Sequence, residues 1–178
     1  METYIALLRG INVSGHKIVK MDTLRKVLEE LDFENIKSYI QSGNIIFDSS
    51  VRGTGVLENR ITQKIEEYFG FLVPVMVVTP DALKTIVKKN PFPNLEDATQ
   101  PYVAFLSEVP TAAAISVLQQ IDFGGDMFTT IGKTIYLHYA GSVADTKLSN
   151  AAIERNLKIR ATSRNWKTVL KLIELSDK

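Results

Sequence analysis

Two largely apolar runs constrain the fold of this chain more than any other feature. The runs are Tyr4–Leu8 and Asn44–Phe47, and each predicts a central strand that is buried on both faces. By contrast, Ile36–Gln41 alternates apolar and polar residues, which predicts a strand at the edge of a sheet. Pro74 near the start of Val73–Val78 predicts a second edge, because proline cannot donate to a strand ladder.

Helical patterns separate these strands. Met21–Leu31 and Val56–Phe69 both carry apolar residues at helical spacing. The first 80 residues therefore predict strand, helix, strand, strand, helix, strand, which is the ferredoxin-like βαββαβ unit. That fold arranges its strands in the order four-one-three-two. The two apolar runs fall on strands one and three, as this order requires.

The rest of the chain predicts a second, related α+β half. A linking helix at Asp81–Lys89 precedes Asn90–Pro101, which is rich in Pro, Asn and acidic residues and predicts a boundary. The following residues predict βαββα, with a short final strand at Lys158–Ala161 and a last helix at Asn165–Leu175. The two halves share no repeated residues, so the predicted duplication is one of the order of helices and strands. The predicted subdomains are residues 1–80, 81–101 and 102–178.

The composition excludes several function classes. The sequence contains no cysteine, which excludes disulfides, thiolate metal sites and cysteine nucleophiles. No apolar run approaches the roughly 20 residues that span a bilayer, and Met1 leads directly into a strand pattern rather than a signal peptide. We therefore expect a cytoplasmic protein that makes no use of a membrane. No motif indicates a metal or a cofactor.

Polar residues follow the first strand and fill the turn between the second and third strands. Arg9, Gly10 and Asn12 come directly after the first strand, and the turn is Gln41–Asn44. Because a right-handed crossover makes strands one and two parallel, both groups should lie at one rim of the sheet. The first helix should begin there too, and its N–H groups favour an anion. Arginine adds a planar donor fork for phosphate or carboxylate.

Four residues at this rim, Arg9, Gln41, Gly43 and Asn44, also have a structural explanation. Gly43 and Asn44 accept the positive φ of a tight turn, and we favour that explanation for both. Arg9 could pair with a surface carboxylate, and for Arg9 and Gln41 the structural and functional interpretations stay open. The candidate ligand-binding residues of the rim are Arg9, Asn12, Gln41, Ser42 and Asn44.

A second polar cluster lies at Ala161–Lys167. From Lys147 onward the chain carries eight basic and three acidic residues, so this segment has a charge of +5 within a net charge of +1. Thr162 or Ser163 is expected to cap the last helix, which places Arg164 near a helix N-terminus where a bound anion would offset its charge. A solvated helical face explains the same charge more simply. The further candidates are Lys147, Arg164 and Asn165, and our hypothesis is that both clusters face one cleft between the halves.

No catalytic constellation is evident. The only histidines are His16 and His138, and the sequence indicates no base for Ser42. The candidate residues are arginines, lysines and amides, which hold a ligand or stabilise negative charge. Catalytic residues therefore stay unknown, and whether the protein is an enzyme is undecided.

Three motifs resemble those of a known family. Tyr4–Asn12, Tyr39–Asn44 and Thr162–Val169, in this order, resemble motifs of the bacterial domain of unknown function 1697 family. The resemblance covers nearly the whole chain, and Ser14 is a departure at a position where glycine is commoner. It implies a ferredoxin-like half followed by a second α+β half, and it implies no known activity.

Three functions fit these observations. Binding of a small anionic ligand, phosphorylated or nucleotide-like, at the polar rim comes first. Nucleic-acid binding through the basic C-terminal segment comes second, with Tyr39 and Phe47 as the only plausible stacking residues. An enzyme that stabilises charge with Arg9, Lys147 and Arg164 comes third. A protein–protein adaptor is not excluded, and no feature indicates an oligomeric state.

Overall fold

The computed structural model describes residues 1–92 and 101–177. Two four-stranded antiparallel sheets and six α-helices make up this part of the chain, so the predicted α+β class is confirmed. The elements are β1 (Glu2–Leu8), α1 (Met21–Glu29), β2 (Glu34–Tyr39), β3 (Asn44–Ser49), α2 (Thr54–Phe69), β4 (Val75–Val78), α3 (Pro80–Lys88), β5 (Tyr102–Leu106), α4 (Ala112–Gln119), β6 (Met127–Ile131), β7 (Thr134–His138), a 3₁₀ turn (Val143–Asp145), α5 (Asn150–Leu157), β8 (Ala161–Asn165) and α6 (Trp166–Ser176).

The first sheet has the order β2-β3-β1-β4, which is the predicted ferredoxin-like order read from the other side. β1 and β3 are central because their side chains are apolar on both faces. Tyr4, Ala6 and Leu8 pack against α1 and α2, whereas Ile5 and Leu7 are fully buried on the opposite face.

The second sheet repeats this arrangement with the order β6-β7-β5-β8. Its first, second, third and fourth strands thus occupy the same relative positions as those of the first sheet, which supports two related halves. The predicted strand at Lys158–Ala161 is wrong: Lys158 ends α5 with a φ of +60°, and the strand lies at Ala161–Asn165.

The described residues form two compact units. One unit contains residues 1–85 together with those from Lys171 onward, and the other contains Ile86–Leu170. The Nζ of Lys84 lies 2.7 Å from Oδ1 of Asp177, an ion pair within the first unit. The predicted Asn90–Pro101 boundary falls largely on residues 93–100, which lie outside the described residues.

Candidate functional site

The predicted polar rim forms in the first unit, where the end of β1 lies beside the β2–β3 turn. The backbone N–H of Leu8 donates to the carbonyl of Gly43 at 2.8 Å, and Leu7 pairs with Asn44 in the ladder. We call residues 9–12 and 41–44 the polar rim. The parallel course of β1 and β2, which the crossover predicts, brings these two segments together.

Gly43 is where the two segments of the rim approach most closely. Its φ is +83°, a conformation that glycine adopts without strain. A Cβ at this position would lie 2.7 Å from Cβ of Leu8 and 2.8 Å from Cδ1 of Ile11. Both the backbone conformation and the contact with β1 therefore require glycine.

Asn12 joins the loop after β1 to the turn and to the start of α1. Its Nδ2 donates to the carbonyls of Gln41 at 2.8 Å and Val19 at 2.9 Å, and its Oδ1 accepts from the Val19 N–H at 2.8 Å. Because Val19 lies two residues before α1, this one side chain holds three segments together. These bonds occupy both amide hydrogens, so Asn12 has no further hydrogen to donate to a ligand.

Asn44 and Ser42 stabilise the turn from within. Asn44 is fully buried, and its Nδ2 donates to the carbonyl of Tyr39 at 3.0 Å and to Oγ of Ser42 at 3.1 Å. The structural explanation for Asn44 therefore holds, although its φ is not positive as the turn pattern predicted. In this turn the positive φ values belong to Gly43, as predicted, and to Ile40, at +52°.

Arg9 lies at the end of β1, and its side chain is half-buried. Its backbone N–H donates to the carbonyl of Pro74 at 3.0 Å, so the strand ladder continues to this residue. Alternation along the strand assigns Arg9 to the face of Ile5 and Leu7, which is also the face of Asn44. The α1 N-terminus lies on the other face of the sheet, so Arg9 and that helix end lie on opposite sides of the rim.

Backbone hydrogen bonds fold the loop after the rim back on itself. Asn12 N–H donates to the carbonyl of Lys17 and His16 N–H to that of Val13, which closes a small hairpin. Ser14 and Gly15 at its tip have φ of +50° and +78°. Both central residues are left-handed, as in a type I′ turn, so serine at position 14 costs more than glycine would.

The second polar cluster lies in the other unit and differs from the prediction. Thr162 and Ser163 lie within β8 and do not cap α6; Asn165 does, because its Oδ1 accepts from the Thr168 N–H at 2.8 Å. Arg164 is a strand residue opposite Val103, not a residue of the last helix. The sequence did not predict this strand because several of its side chains are hydroxyls and amides, which do not produce an alternation of apolar and polar residues.

Arg164 is buried, with only 7% of its surface exposed. Its Nη1 donates to Oγ1 of Thr162 and to the carbonyl of Ser163, at 3.0 and 2.9 Å, among its contacts. Burial lowers the pKa of Arg164 to about 10, so the guanidinium stays charged at neutral pH. The charge is held inside the fold, which makes it unsuited to contacting a large polyanion at the surface.

Lys147 is exposed and precedes α5. It lines a cavity of about 200 Å³ formed by the loops at residues 123–126 and 140–147. The hydroxyl of Ser163 donates to Oδ1 of Asn150 at 2.6 Å, so the start of α5 lies beside β8. The hypothesis that this cluster and the polar rim share one cleft stays a prediction.

Asn165 provides a direct test of its capping role. We expect Asn165→Ala to lower the free energy of unfolding by about 1 kcal/mol, because the Thr168 N–H loses its acceptor. Asn165→Asp keeps an acceptor and should be close to neutral. Chemical denaturation of the three proteins measures the difference, and an alanine variant as stable as the parent would contradict the assignment.

The described part of the chain contains neither a cluster of metal-ligating side chains nor a membrane-spanning helix. Residues 1–92 and 101–177 contain no group of three His, Asp or Glu side chains placed to hold a metal ion. Within the same ranges, every helix is too short or too polar to cross a membrane.

Comparison with known proteins places the chain in a family. The model of the family described as protein of unknown function (DUF1697) matches residues 1–136, and the chain belongs to this family. The structure of the conserved bacterial protein SP0830 from Streptococcus pneumoniae is similar, with a TM-score of 0.69 over 98% of both chains at 23% identity. That likeness shows the fold alone. No curated protein matches.

Proposed function

We propose that the polar rim binds a small anionic ligand, phosphorylated or nucleotide-like. The observation that carries the proposal is the pair of bonds Leu8 N–H to Gly43 O and Asn12 Nδ2 to Gln41 O. These bonds bring the guanidinium-bearing end of a buried strand beside an exposed polar turn. Arginine binds phosphate through paired donors, and a rigid surround reduces the entropy lost on binding.

The rim residues divide into supporting and binding groups. Asn12 and Asn44 use their amide hydrogens inside the fold, so they position the segments. Arg9 supplies the charge, and the exposed Gln41 and Ser42 supply neutral polar groups. Ile40, with φ +52° and 48% of its surface exposed, is strained at this same turn, a feature that is common at binding sites.

Replacing Arg9 tests the proposal. Thermal shift and calorimetry would measure the affinity of the parent protein, Arg9→Ala and Arg9→Lys for inorganic phosphate, nucleoside phosphates and sugar phosphates. We expect Arg9→Ala to weaken binding of the best ligand at least about tenfold, because a charge-assisted hydrogen bond contributes about 1.5–3 kcal/mol. Lysine should restore part of the affinity, since it keeps the charge without the planar fork.

Arg52→Ala is the matched control. It removes the same charge from an 85% exposed side chain that pairs with Glu2 at the opposite end of β1. Affinity should be unchanged in this variant. A parent protein that binds none of the anions, or an Arg9→Ala variant whose affinity stays within twofold, would refute the proposal.

Nucleic-acid binding has one favourable observation. Arg155, Lys158 and Arg160 are exposed around the end of α5. Against it, Phe47 is fully buried in the core and Arg164 is buried in its sheet, so neither is available to a polynucleotide. Retention on single-stranded RNA that falls steeply with salt would favour this function. An enzyme relying on Arg9 or Lys147 for charge stabilisation needs a reacting group that no described residue indicates.

A further inference from the structure

The outer edge of β6 has no partner strand within residues 1–92 and 101–177. β6 pairs with β7 alone, and among the described residues none donates to or accepts from the outer backbone groups of Met127–Ile131. Met127 and Ile131 are 51% and 36% exposed. A strand edge with unpaired N–H and C=O groups and apolar side chains is a template for another strand.

Each of the other three edge strands carries a device that hinders such pairing. β2 has a bulge between Glu34 and Lys37. In β4 the N–H of Val77 donates to Oε1 of Glu58, and in β8 the N–H of Ala161 donates to Oε1 of Glu154, both at 2.9 Å. Bulges and side chains that bond to the backbone keep a further strand away. β6 contains no charge, proline or bulge between Met127 and Ile131.

The sequence of β6 is complementary to itself in the antiparallel direction. With the two-fold axis at Thr129, Thr129 lies opposite its own copy, and Met127 lies opposite Ile131 of the second chain. Threonine pairs and apolar pairs across strands are favourable. In the same register, Phe128 of one copy lies opposite Thr130 of the other, which pairs an aromatic residue with a β-branched one.

We propose that β6 pairs with β6 of a second copy of this chain, in antiparallel register centred on Thr129. A two-fold axis makes the contact self-complementary and closed, so the product is a dimer rather than a filament. The two sheets then form one eight-stranded sheet with the order β8-β5-β7-β6-β6-β7-β5-β8. The dimer contact involves only the second unit and is independent of the polar rim.

Substitution at the two-fold axis tests the register as well as the dimer. Sedimentation velocity over a concentration series should show a concentration-dependent dimer for the parent chain. Thr129→Lys places two ammonium groups opposite each other and should weaken the dimer about tenfold or more. Thr129→Val has nearly the same shape without charge and should still dimerise.

Mixing variants separates lost pairing from misfolding. Thr129→Lys and Thr129→Glu should each be monomeric alone and should form a heterodimer when mixed, because unlike charges then face each other. A parent chain that is monomeric up to several hundred micromolar would overturn the proposal. A dimer that Thr129→Lys leaves intact, or a mixture that stays monomeric, would overturn it as well.

Discussion

Gly43→Ala is expected to lower the free energy of unfolding by about 2–4 kcal/mol, the largest effect of any substitution considered for this chain. A residue with a Cβ pays about 1–2 kcal/mol for a left-handed backbone. The added methyl group also lies within 3.0 Å of Leu8 and Ile11, and overpacking of this kind costs about 1–3 kcal/mol. Urea denaturation followed by circular dichroism measures the change.

Gly10→Ala is the matched control for this result. Gly10 has a similar φ of +69°, but a Cβ there would meet nothing within 4 Å. Its substitution should cost only the backbone term, about 1–2 kcal/mol. If both variants lose the same stability, the close approach between the turn and β1 contributes nothing and our account of Gly43 is wrong.

Asn12→Ala should lower the free energy of unfolding by about 2–3 kcal/mol. The substitution removes three hydrogen bonds, each worth about 0.5–1.5 kcal/mol, and leaves alanine at a φ of +55°. The local effect is more specific: the Val19 amide loses its acceptor, so its hydrogen exchange should accelerate. Nuclear magnetic resonance follows that single amide.

Two variants divide the role of Asn12 into its parts. Asn12→Gly tolerates the left-handed backbone but loses every side-chain bond, so it should be about 1 kcal/mol less destabilised than Asn12→Ala. Asn12→Asp keeps an acceptor for the Val19 N–H and loses the two donations. Of the three Asn12 variants, only Asn12→Asp is expected to keep the slow hydrogen exchange of the Val19 amide. Equal protection in all variants would show that this side chain does not hold the loop.

The strand order in the first sheet was predictable because the burial of a strand determines which of its residues are apolar. A strand segment covered on both faces, such as Tyr4–Leu8 of β1, is apolar at each position, whereas an edge strand tolerates alternation or proline. The strand order then followed from the fold that these edges define. The adjacency of the end of β1 and the β2–β3 turn followed in turn, since the hand of a crossover determines which strand ends lie at the same edge of the sheet.

β8 was misplaced because its buried positions are polar. Thr162 and Arg164 lie opposite Phe105 and Val103, where an apolar residue would be expected. Hydrogen bonds within the strand compensate these side chains, and such compensation depends on neighbours that only the folded chain brings together. The bridging role of Asn12 was hidden for the same reason. Its partners Val19 and Gln41 are backbone groups, which carry no sequence signal.

The division of the chain into units has a consequence for its synthesis. Residues from Lys171 onward belong with residues 1–85, and within this segment Leu172 is fully buried. On the ribosome, the whole of Ile86–Leu170 therefore emerges while the earlier unit still lacks its last helical segment. The first unit therefore becomes complete only after translation has passed the whole of the second unit.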